Sequence, residues 1–198
     1  MQSDEMQVIK RNKTYEDISF DKILKRIKTL GKENDVSINY SALCLKVIDQ
    51  LYDKIETTKI DELAAQQCAS MITVHYDYGK LGGYISISNH QKNTCANKLA
   101  DGNLFKIVMT DLYENKDCHG KHVPLITKSL LDVVTKYEKK ICDAIDYKRD
   151  YLIDYFGFKT LERAYLMRIN GKCVERPQDM WMRVSLGIHG NDVERALE

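Results

Sequence analysis

Apolar residues recur at helical spacing through most of the chain, and the first clear stripe follows residue 19. Its members are Phe20, Ile23, Leu24, Ile27 and Leu30. This spacing places them on one face of a helix, while the basic residues between them face outward. Ser19 is suited to cap the start of this helix, and Gly31 is suited to end it. The pattern predicts a helix over residues 20–30.

The residues before this helix alternate between apolar and polar side chains, as in short strands. Residues 8–18 divide into two such stretches around Asn12 and Lys13. Asparagine tolerates the left-handed backbone conformation that a tight hairpin needs. The sequence therefore predicts an N-terminal β-hairpin with its turn at these two residues.

Three further helices are predicted before residue 96. The first has Ser41 near its start and a single apolar stripe, formed by Cys44, Val47, Ile48 and Leu51. The second begins at Thr57, where Thr58 and Asp61 have the spacing of a capping box, and it runs to Val74. The third covers residues 78–93, although each of its glycines weakens a helix by about 1 kcal/mol relative to alanine. These glycines are Gly79, Gly82 and Gly83.

The second half of the chain shows the same helical periodicity. Helices are predicted from Lys98 through Leu112, over residues 127–144 and again over 192–198, with a loop at residues 114–124. Asn170 and Gly171 give the strongest hairpin signal in the sequence. Pro177 is suited to the first position of the helix that follows, where its missing N–H costs nothing. We predict a mostly helical α+β protein with one domain over residues 1–96 and another over 97–198.

Charge and composition exclude several classes of protein. The 198 residues include 30 Lys+Arg and 29 Asp+Glu, so the net charge of +1 argues against a nucleic-acid partner. No apolar window is long enough for a membrane span, and the first residues resemble neither a secretory signal nor a transit peptide. Six scattered cysteines without a C-x-x-C pair predict reduced thiols that behave as small buried apolar residues. We therefore expect a cytoplasmic protein without membrane or nucleic-acid partners.

Residue chemistry alone identifies one possible anion site. Lys22 lies in the first turn of a predicted helix, where its charge opposes the positive end of the helix dipole. Lys10 and Arg11 on the first strand could converge with it on a polyphosphate. The alternative is that all three are ordinary solvated charges, and pattern alone favours this alternative.

Other candidates also have two interpretations. Asp61 stabilises its helix if it lies in the first turn, or it accepts a hydrogen bond from a nucleotide's sugar or base. Thr57 is either a cap or a ligand contact, and Lys92 is expected near a helix end on dipole grounds. Cys118, His119 and His122 lack further nearby ligands, so no metal site is predicted. No phosphate-binding glycine motif and no hydrolase nucleophile motif is present.

Several runs of residues are long enough to point to a known family. The longest are YFGFKTLERAYL at 155–166, INGK at 169–172, ERPQ at 175–178 and MRVSLGIH at 182–189. Earlier runs, in chain order, are VIKR at 8–11, FDKI at 20–23, LAA at 63–65, SISN at 86–89 and HGKH at 119–122. Together they resemble the large subunit of class I ribonucleotide reductase of the eukaryotic and viral type, and the resemblance covers nearly the whole chain from Met6 onward.

This resemblance implies that residues 1–96 form an ATP-cone, a helical bundle capped by a small β-sheet. The cone would bind ATP or dATP, accompanied by Mg²⁺, as an allosteric effector; ATP would activate, and dATP would inhibit by changing how large subunits assemble. By motif, the nucleotide contacts would be Lys10, Arg11, Glu16, Asp17, Ile18, Ser19, Phe20, Asp21, Lys22, Thr57, Asp61 and Lys92.

The resemblance also implies what the second domain is. It would be the helical N-terminal part of a ten-stranded α/β barrel that reduces ribonucleoside diphosphates to supply DNA precursors. The catalytic cysteines of that family match none of the six here, so we expect an inactive fragment without catalytic residues. Its partners would be other large subunits and the radical-generating small subunit. Two alternatives remain: a stand-alone ATP-cone regulatory module, and a non-binding remnant that serves only as an assembly surface.

Overall fold

The computed structural model describes residues 6–95 and 103–198, with the side chain of Cys95 left out. These residues form two compact units. The first contains the described residues up to Asn93 together with Ile153–Lys159, and the second contains those of Thr94–Leu152 and Thr160–Glu198. The predicted domain boundary near residue 96, like the predicted helix start at Lys98, lies outside the described residues.

The first unit has a three-stranded sheet formed by β1 (Gln7–Ile9), β2 (Tyr15–Asp17) and β3 (Ile55–Glu56). Strand β1 is central, antiparallel to β2 and parallel to β3. The predicted hairpin is confirmed, but its left-handed residue is Lys13, with φ of 64°, and not Asn12. The Asn12 carboxamide oxygen instead accepts a hydrogen bond from the Thr14 N–H at 3.2 Å. The turn thus uses asparagine for its side-chain acceptor.

Four helices complete this unit: α1 (Phe20–Lys32), α2 (Tyr40–Ile48), α3 (Thr57–Ser70) and α4 (Asp77–Cys95). All four were predicted, and Ser19 caps α1 as expected, since its Oγ accepts from the Lys22 N–H at 3.4 Å. The predicted stop at Gly31 is wrong. Helix α1 continues to Lys32, and Gly31 has a different role, because a Cβ at this position would clash with the Tyr40 side chain that packs on it.

The prediction of a capping box at the start of α3 is also wrong. The N-cap residue is Glu56, which makes no side-chain cap, and the Thr58 hydroxyl donates to its carboxylate at 3.3 Å. Asp61 therefore lies in the second turn of α3, beyond the reach of the free backbone N–H groups. The helix ends at Ser70, four residues before the predicted end at Val74.

Small residues allow α3 and α4 to pack closely. Ala64, Ala65 and Cys68 of α3 are buried. A Cβ at Gly82 of α4 would lie 3.1 Å from the Cβ of Cys68, and one at Gly83 would lie 2.9 Å from a backbone oxygen of residue 153. Gly82 therefore serves packing against α3, and Gly83 serves packing against the backbone of residues 153–154, which offsets their low helix propensity.

The second unit is built mainly from helices. They are α5 (Leu104–Tyr113), α6 (Lys128–Lys136), α7 (Glu138–Ala144), a 3₁₀ helix (Tyr147–Leu152), the last residues of α8 (Tyr155–Ala164), α9 (Pro177–His189) and α10 (Val193–Leu197). A two-stranded hairpin joins β4 (Arg168–Ile169) to β5 (Lys172–Cys173). Its predicted turn is confirmed, because Asn170 and Gly171 have φ of 49° and 76°. The single helix predicted over residues 127–144 is instead two helices, broken at Tyr137.

Buried charges surround the start of α9. Pro177 occupies the first helical turn, as predicted. Asp179 is fully buried and accepts from the Tyr147 hydroxyl at 2.6 Å and from the Arg176 backbone N–H at 2.9 Å. Burial raises the pKa of Asp179 to about 6, since the ionised form is costly away from water. This carboxyl therefore caps α9 from within the second unit.

Candidate functional site

A cavity of about 600 Å³ lies in the first unit, and we call it the hairpin cavity. Four segments border it: the β1–β2 hairpin, the first half of α1, the first turns of α3 and the end of α4. Its lining residues are Val8, Lys10, Arg11, Asn12, Thr14, Glu16, Asp17, Ile18, Ser19, Lys22, Ile23, Arg26, Ile27, Thr57, Ile60, Asp61, Ala64 and Lys92. The size is typical of small-molecule sites.

The hairpin turn brings two basic side chains to the same cavity. Lys10 and Arg11 follow the end of β1 and do not lie on the strand itself. The Lys10 N–H bonds the Thr14 carbonyl at 2.8 Å, which closes the turn. Because the backbone turns here, the side chains of Lys10 and Arg11 do not point to opposite faces, as they would on a strand. Both therefore line the hairpin cavity.

One carboxylate connects the hairpin to the start of α1. Glu16 Oε2 lies 2.8 Å from Lys10 Nζ, while Glu16 Oε1 contacts Lys22 Nζ. Hydrogen bonds from Lys10 and Lys22 lower the pKa of Glu16 to about 2. The position of Lys22 in the first turn of α1 favours a nearby anion. In this structure the Glu16 carboxylate is that anion.

Asp61 is held by two arginines on the inner side of the cavity. Arg26 donates from Nε to Oδ1 at 3.1 Å and from Nη2 to Oδ2 at 3.0 Å, and the same Nη2 donates to Ser88 Oγ at 3.0 Å. Arg11 Nη2 lies 3.6 Å from Asp61 Oδ2. Asp61 is 8% exposed. Its carboxylate is therefore an oriented acceptor, because bidentate pairing fixes both oxygens.

Helix α4 contributes an amide pair and a further cation. Arg11 donates from Nε to Asn93 Oδ1 at 2.9 Å and from Nη2 to Asn89 Oδ1, and the Asn89 amide donates to the Thr58 carbonyl at 3.1 Å. Within the described part of the chain, no carboxylate lies at ion-pair distance from Lys92. Partial desolvation and the neighbouring Arg26 and Arg11 lower the pKa of Lys92. An anion in the cavity would relieve this repulsion.

The structure brings together most of the residues that the sequence predicts as nucleotide contacts. Ten of the twelve line the hairpin cavity, namely Lys10, Arg11, Glu16, Asp17, Ile18, Ser19, Lys22, Thr57, Asp61 and Lys92. Phe20 and Asp21 do not: Phe20 is 48% exposed, and Asp21 borders a shallow groove on the outer face of α1. Arg26 also lines the cavity, but it is not among the contacts predicted from the sequence. Its spacing from Lys22, one helical turn later, is the signal that could have identified it.

Much of the rest of the cavity lining is apolar. Helix α1 and its approach contribute Ile18, Ile23 and Ile27, while α3 contributes Ile60 and Ala64. An apolar wall opposite several cations suits a ligand with a flat apolar part and a polyanionic tail. The lining therefore fits a nucleotide better than a simple anion.

The described cysteine and histidine residues give little support for a reactive thiol or a metal site. Burial raises the pKa of Cys68 to about 12 and that of Cys173 to about 11, so both thiols stay protonated. The expectation that the cysteines are buried is confirmed for Cys44 and Cys68 but is wrong for Cys118, which lies in an exposed loop, and Cys142 and Cys173 are only half-buried. In that loop, the His122 ring bonds the Tyr113 carbonyl at 2.6 Å. No group of three possible metal ligands occurs among residues 6–95 and 103–198.

None of the helices in the described part of the chain has the length and apolar character that a membrane crossing requires.

Comparison with known proteins supplies the family. Residues 6–93 match the ATP cone domain, and residues 151–198 match the ribonucleotide reductase all-alpha domain. The large subunit of ribonucleoside-diphosphate reductase from Plasmodium falciparum (isolate Dd2) is 44% identical over 193 residues, which cover 98% of this chain and 23% of that protein.

Two further relatives give the same result. The large subunit from Caenorhabditis elegans is 45% identical over 193 residues (96% of this chain, 24% of that protein), and the large subunit from vaccinia virus (strain Copenhagen) is 43% identical over 196 residues (98% and 24%). The chain spans about a quarter of the length of these relatives. With an ATP cone domain that carries the hairpin cavity and an all-alpha domain that follows it, the chain belongs to the family of ribonucleotide reductase large subunits.

Proposed function

We propose that the chain is the N-terminal part of a ribonucleoside-diphosphate reductase large subunit and that its own work is to bind ATP or dATP in the hairpin cavity. The observation that supports this most strongly is the convergence of Lys10, Arg11, Lys22 and Lys92 on one cavity within the matched ATP cone domain. Nucleotide binding fits that domain, and the choice between ATP and dATP is the finer proposal.

The phosphates would bind at the basic end of the cavity. Lys10 and Arg11 come from the hairpin turn, Lys22 from the first turn of α1 and Lys92 from the end of α4. The first turn of α1 also has the partial positive charge of a helix N-terminus. Phosphate oxygens would satisfy the charge of Lys92, which has no carboxylate partner among the described residues.

The nucleoside would lie against the apolar wall. Ile18, Ile23 and Ile60 offer apolar contact for a base, and Asp61 offers an oriented acceptor for a ribose hydroxyl. An acceptor-only carboxylate distinguishes a ligand that donates a hydrogen bond from one that lacks the hydroxyl. We propose that Asp61 discriminates ATP from dATP in this way.

Mg²⁺ would enter with the phosphates. The carboxylates lining the cavity are those of Glu16, Asp17 and Asp61, and Glu16 and Asp61 already pair with cations. Because Mg²⁺ is usually bound by substrate phosphates and waters with few protein ligands, this lining is compatible with a magnesium nucleotide.

Reduction of ribonucleoside diphosphates would be the activity of the whole large subunit, with further large subunits and a small radical-generating subunit as partners. The chain itself would regulate: binding of ATP or dATP would shift the assembly equilibrium according to the difference in affinity between assembly states. We propose no catalytic residue in the chain; the raised pKa values of Cys68 and Cys173 keep these two thiols in the unreactive protonated form.

Equilibrium dialysis of the 198-residue chain with labelled ATP tests the proposal. Saturable binding, reduced by excess dATP, is the expected result. Absence of saturable binding at millimolar nucleotide would favour a remnant that serves only as an assembly surface. A stand-alone regulatory cone would also bind ATP, and it is distinguished by whether the coding sequence continues into cysteine-bearing barrel strands.

A further inference from the structure

Glu16 stands between two of the cations that line the hairpin cavity. Each of its carboxylate oxygens contacts a different ammonium group, that of Lys10 at 2.8 Å and that of Lys22. The two lysines come from different elements, and neither has another carboxylate partner within the described residues. Within the described residues, Glu16 is therefore the carboxylate that neutralises both lysines.

We propose that Glu16 is an internal counter-ion that occupies the phosphate position of the cavity until a polyphosphate replaces it. The proposal rests on the proposed nucleotide site and assigns Glu16 a role different from that of a ligand contact. Glu16 lowers the affinity for every phosphate-bearing ligand, and it does so most effectively for those with little charge.

The other carboxylates of the cavity do not act in this way. Asp61 is paired with Arg26 on the inner side, and Asp17 accepts from the Gln7 amide at 3.1 Å. Among the described residues, Glu16 is the carboxylate that pairs with the two cavity lysines Lys10 and Lys22, whereas Asp61 pairs with the arginines. A triphosphate has several charges and many acceptor oxygens, so it competes with one carboxylate where a single phosphate competes poorly.

Displacement of Glu16 has a low structural cost. Its side chain is 35% exposed, so the released carboxylate can turn into water and regain its hydration. Lys22 is 67% exposed and has freedom to follow the phosphate. Glu16 therefore sets a threshold: the cavity takes up triphosphates while excluding orthophosphate.

Calorimetry with inorganic tripolyphosphate tests this role in the 198-residue chain. Glu16→Gln should bind tripolyphosphate about tenfold more tightly, because two exposed ion pairs no longer compete with the ligand. The fold increase in orthophosphate affinity caused by Glu16→Gln should be at least as large. Glu56→Gln is the matched control: Glu56 pairs with Lys13 at 2.9 Å on the same sheet but does not line the cavity. It should change tripolyphosphate affinity by less than about twofold at 0.15 M salt.

A second variant separates local competition from a general change in charge. In a Lys22→Met background, Glu16→Gln should gain less than half as much, because one of the two ion pairs is already absent. No gain from Glu16→Gln, or an equal gain from Glu56→Gln, overturns the proposal, as does a gain unaffected by Lys22→Met. Wild-type chain that fails to bind ATP would instead reject the nucleotide site itself, so the two failures are distinguishable. Circular dichroism melts verify that each variant folds, and Glu16→Ala provides a second removal of the charge.

Discussion

Arg26 holds both carboxylate oxygens of Asp61, with donor–acceptor distances of 3.1 and 3.0 Å, across 35 residues of sequence. A third hydrogen bond, from Arg26 to the Ser88 hydroxyl, fixes the guanidinium against α4. Asp61 is thus oriented by α1 and α4 although it belongs to α3. In our proposal this orientation is what makes Asp61 able to discriminate between nucleotides.

Replacing Arg26 should therefore change discrimination more than it changes binding. We expect Arg26→Gln to bring the ratio of ATP and dATP affinities closer to one by about threefold or more, because the Asp61 carboxylate loses its bidentate partner. Calorimetric titration with each nucleotide measures the ratio. Lys25→Gln is the control, since it removes one positive charge from the exposed face of the same helix. An unchanged ratio in folded Arg26→Gln would show that Arg26 does not position Asp61.

Asp61→Asn tests the discriminating group directly. The amide keeps the shape of the side chain but replaces one acceptor oxygen by a donor and removes the charge that pairs with Arg26. We expect weaker discrimination between ATP and dATP with the fold intact, as measured by calorimetry and circular dichroism. Unchanged affinities for both nucleotides would remove Asp61 from the site.

Lys92 should contribute directly to phosphate binding. Because no described carboxylate pairs with it, its charge is available to a ligand, and Lys92→Met should weaken ATP binding by about tenfold. Lys46→Met on α2 removes an exposed lysine that does not line the cavity and should have little effect. Equal losses in the two variants would indicate that only net charge matters.

The sequence predicted the parts of the site that depend on local chemistry. The hairpin around residues 12–13 and the Ser19 cap follow from neighbouring residues, and both occur in the structure. The pairing of Arg26 with Asp61 has no local signal, because the two residues meet only after α1 packs beside α3. The prediction that Gly31 ends α1 failed for the same reason, because the role of this glycine depends on its contact with the Tyr40 side chain.

The residues of a continuous run that enters a helix cannot all face one cavity. Residues 16–22 pass from a strand into a helix, where successive side chains point about 100° apart. Ser19 and Lys22 therefore face the hairpin cavity, while Phe20 and Asp21 point away from it. A resemblance in sequence identifies the segment, and only the fold identifies which side chains of that segment face the cavity.

The second unit should show a pH dependence that originates at Asp179. Its folded pKa of about 6 lies above the ordinary value of 3.8, so the folded state binds the proton more tightly than the unfolded state. The stabilisation from protonated Asp179 is fully present below about pH 4 and is lost as the pH rises through 6, by up to about 3 kcal/mol.

Urea unfolding followed by the fluorescence of Trp181, the only tryptophan, measures this effect within the same unit. The free energy of unfolding of the wild type should fall between pH 4 and 7 relative to that of Asp179→Asn, which cannot ionise. Parallel pH profiles for the two proteins would show that Asp179 does not titrate in this range.

The most direct test of the nucleotide site is a crystal structure of the chain grown with ATP and Mg²⁺. We expect the phosphates within hydrogen-bond distance of Lys10, Arg11, Lys22 and Lys92, the ribose beside Asp61, and Glu16 separated from both lysines. A nucleotide bound elsewhere, or a hairpin cavity that stays without nucleotide at saturating concentration, would contradict the account.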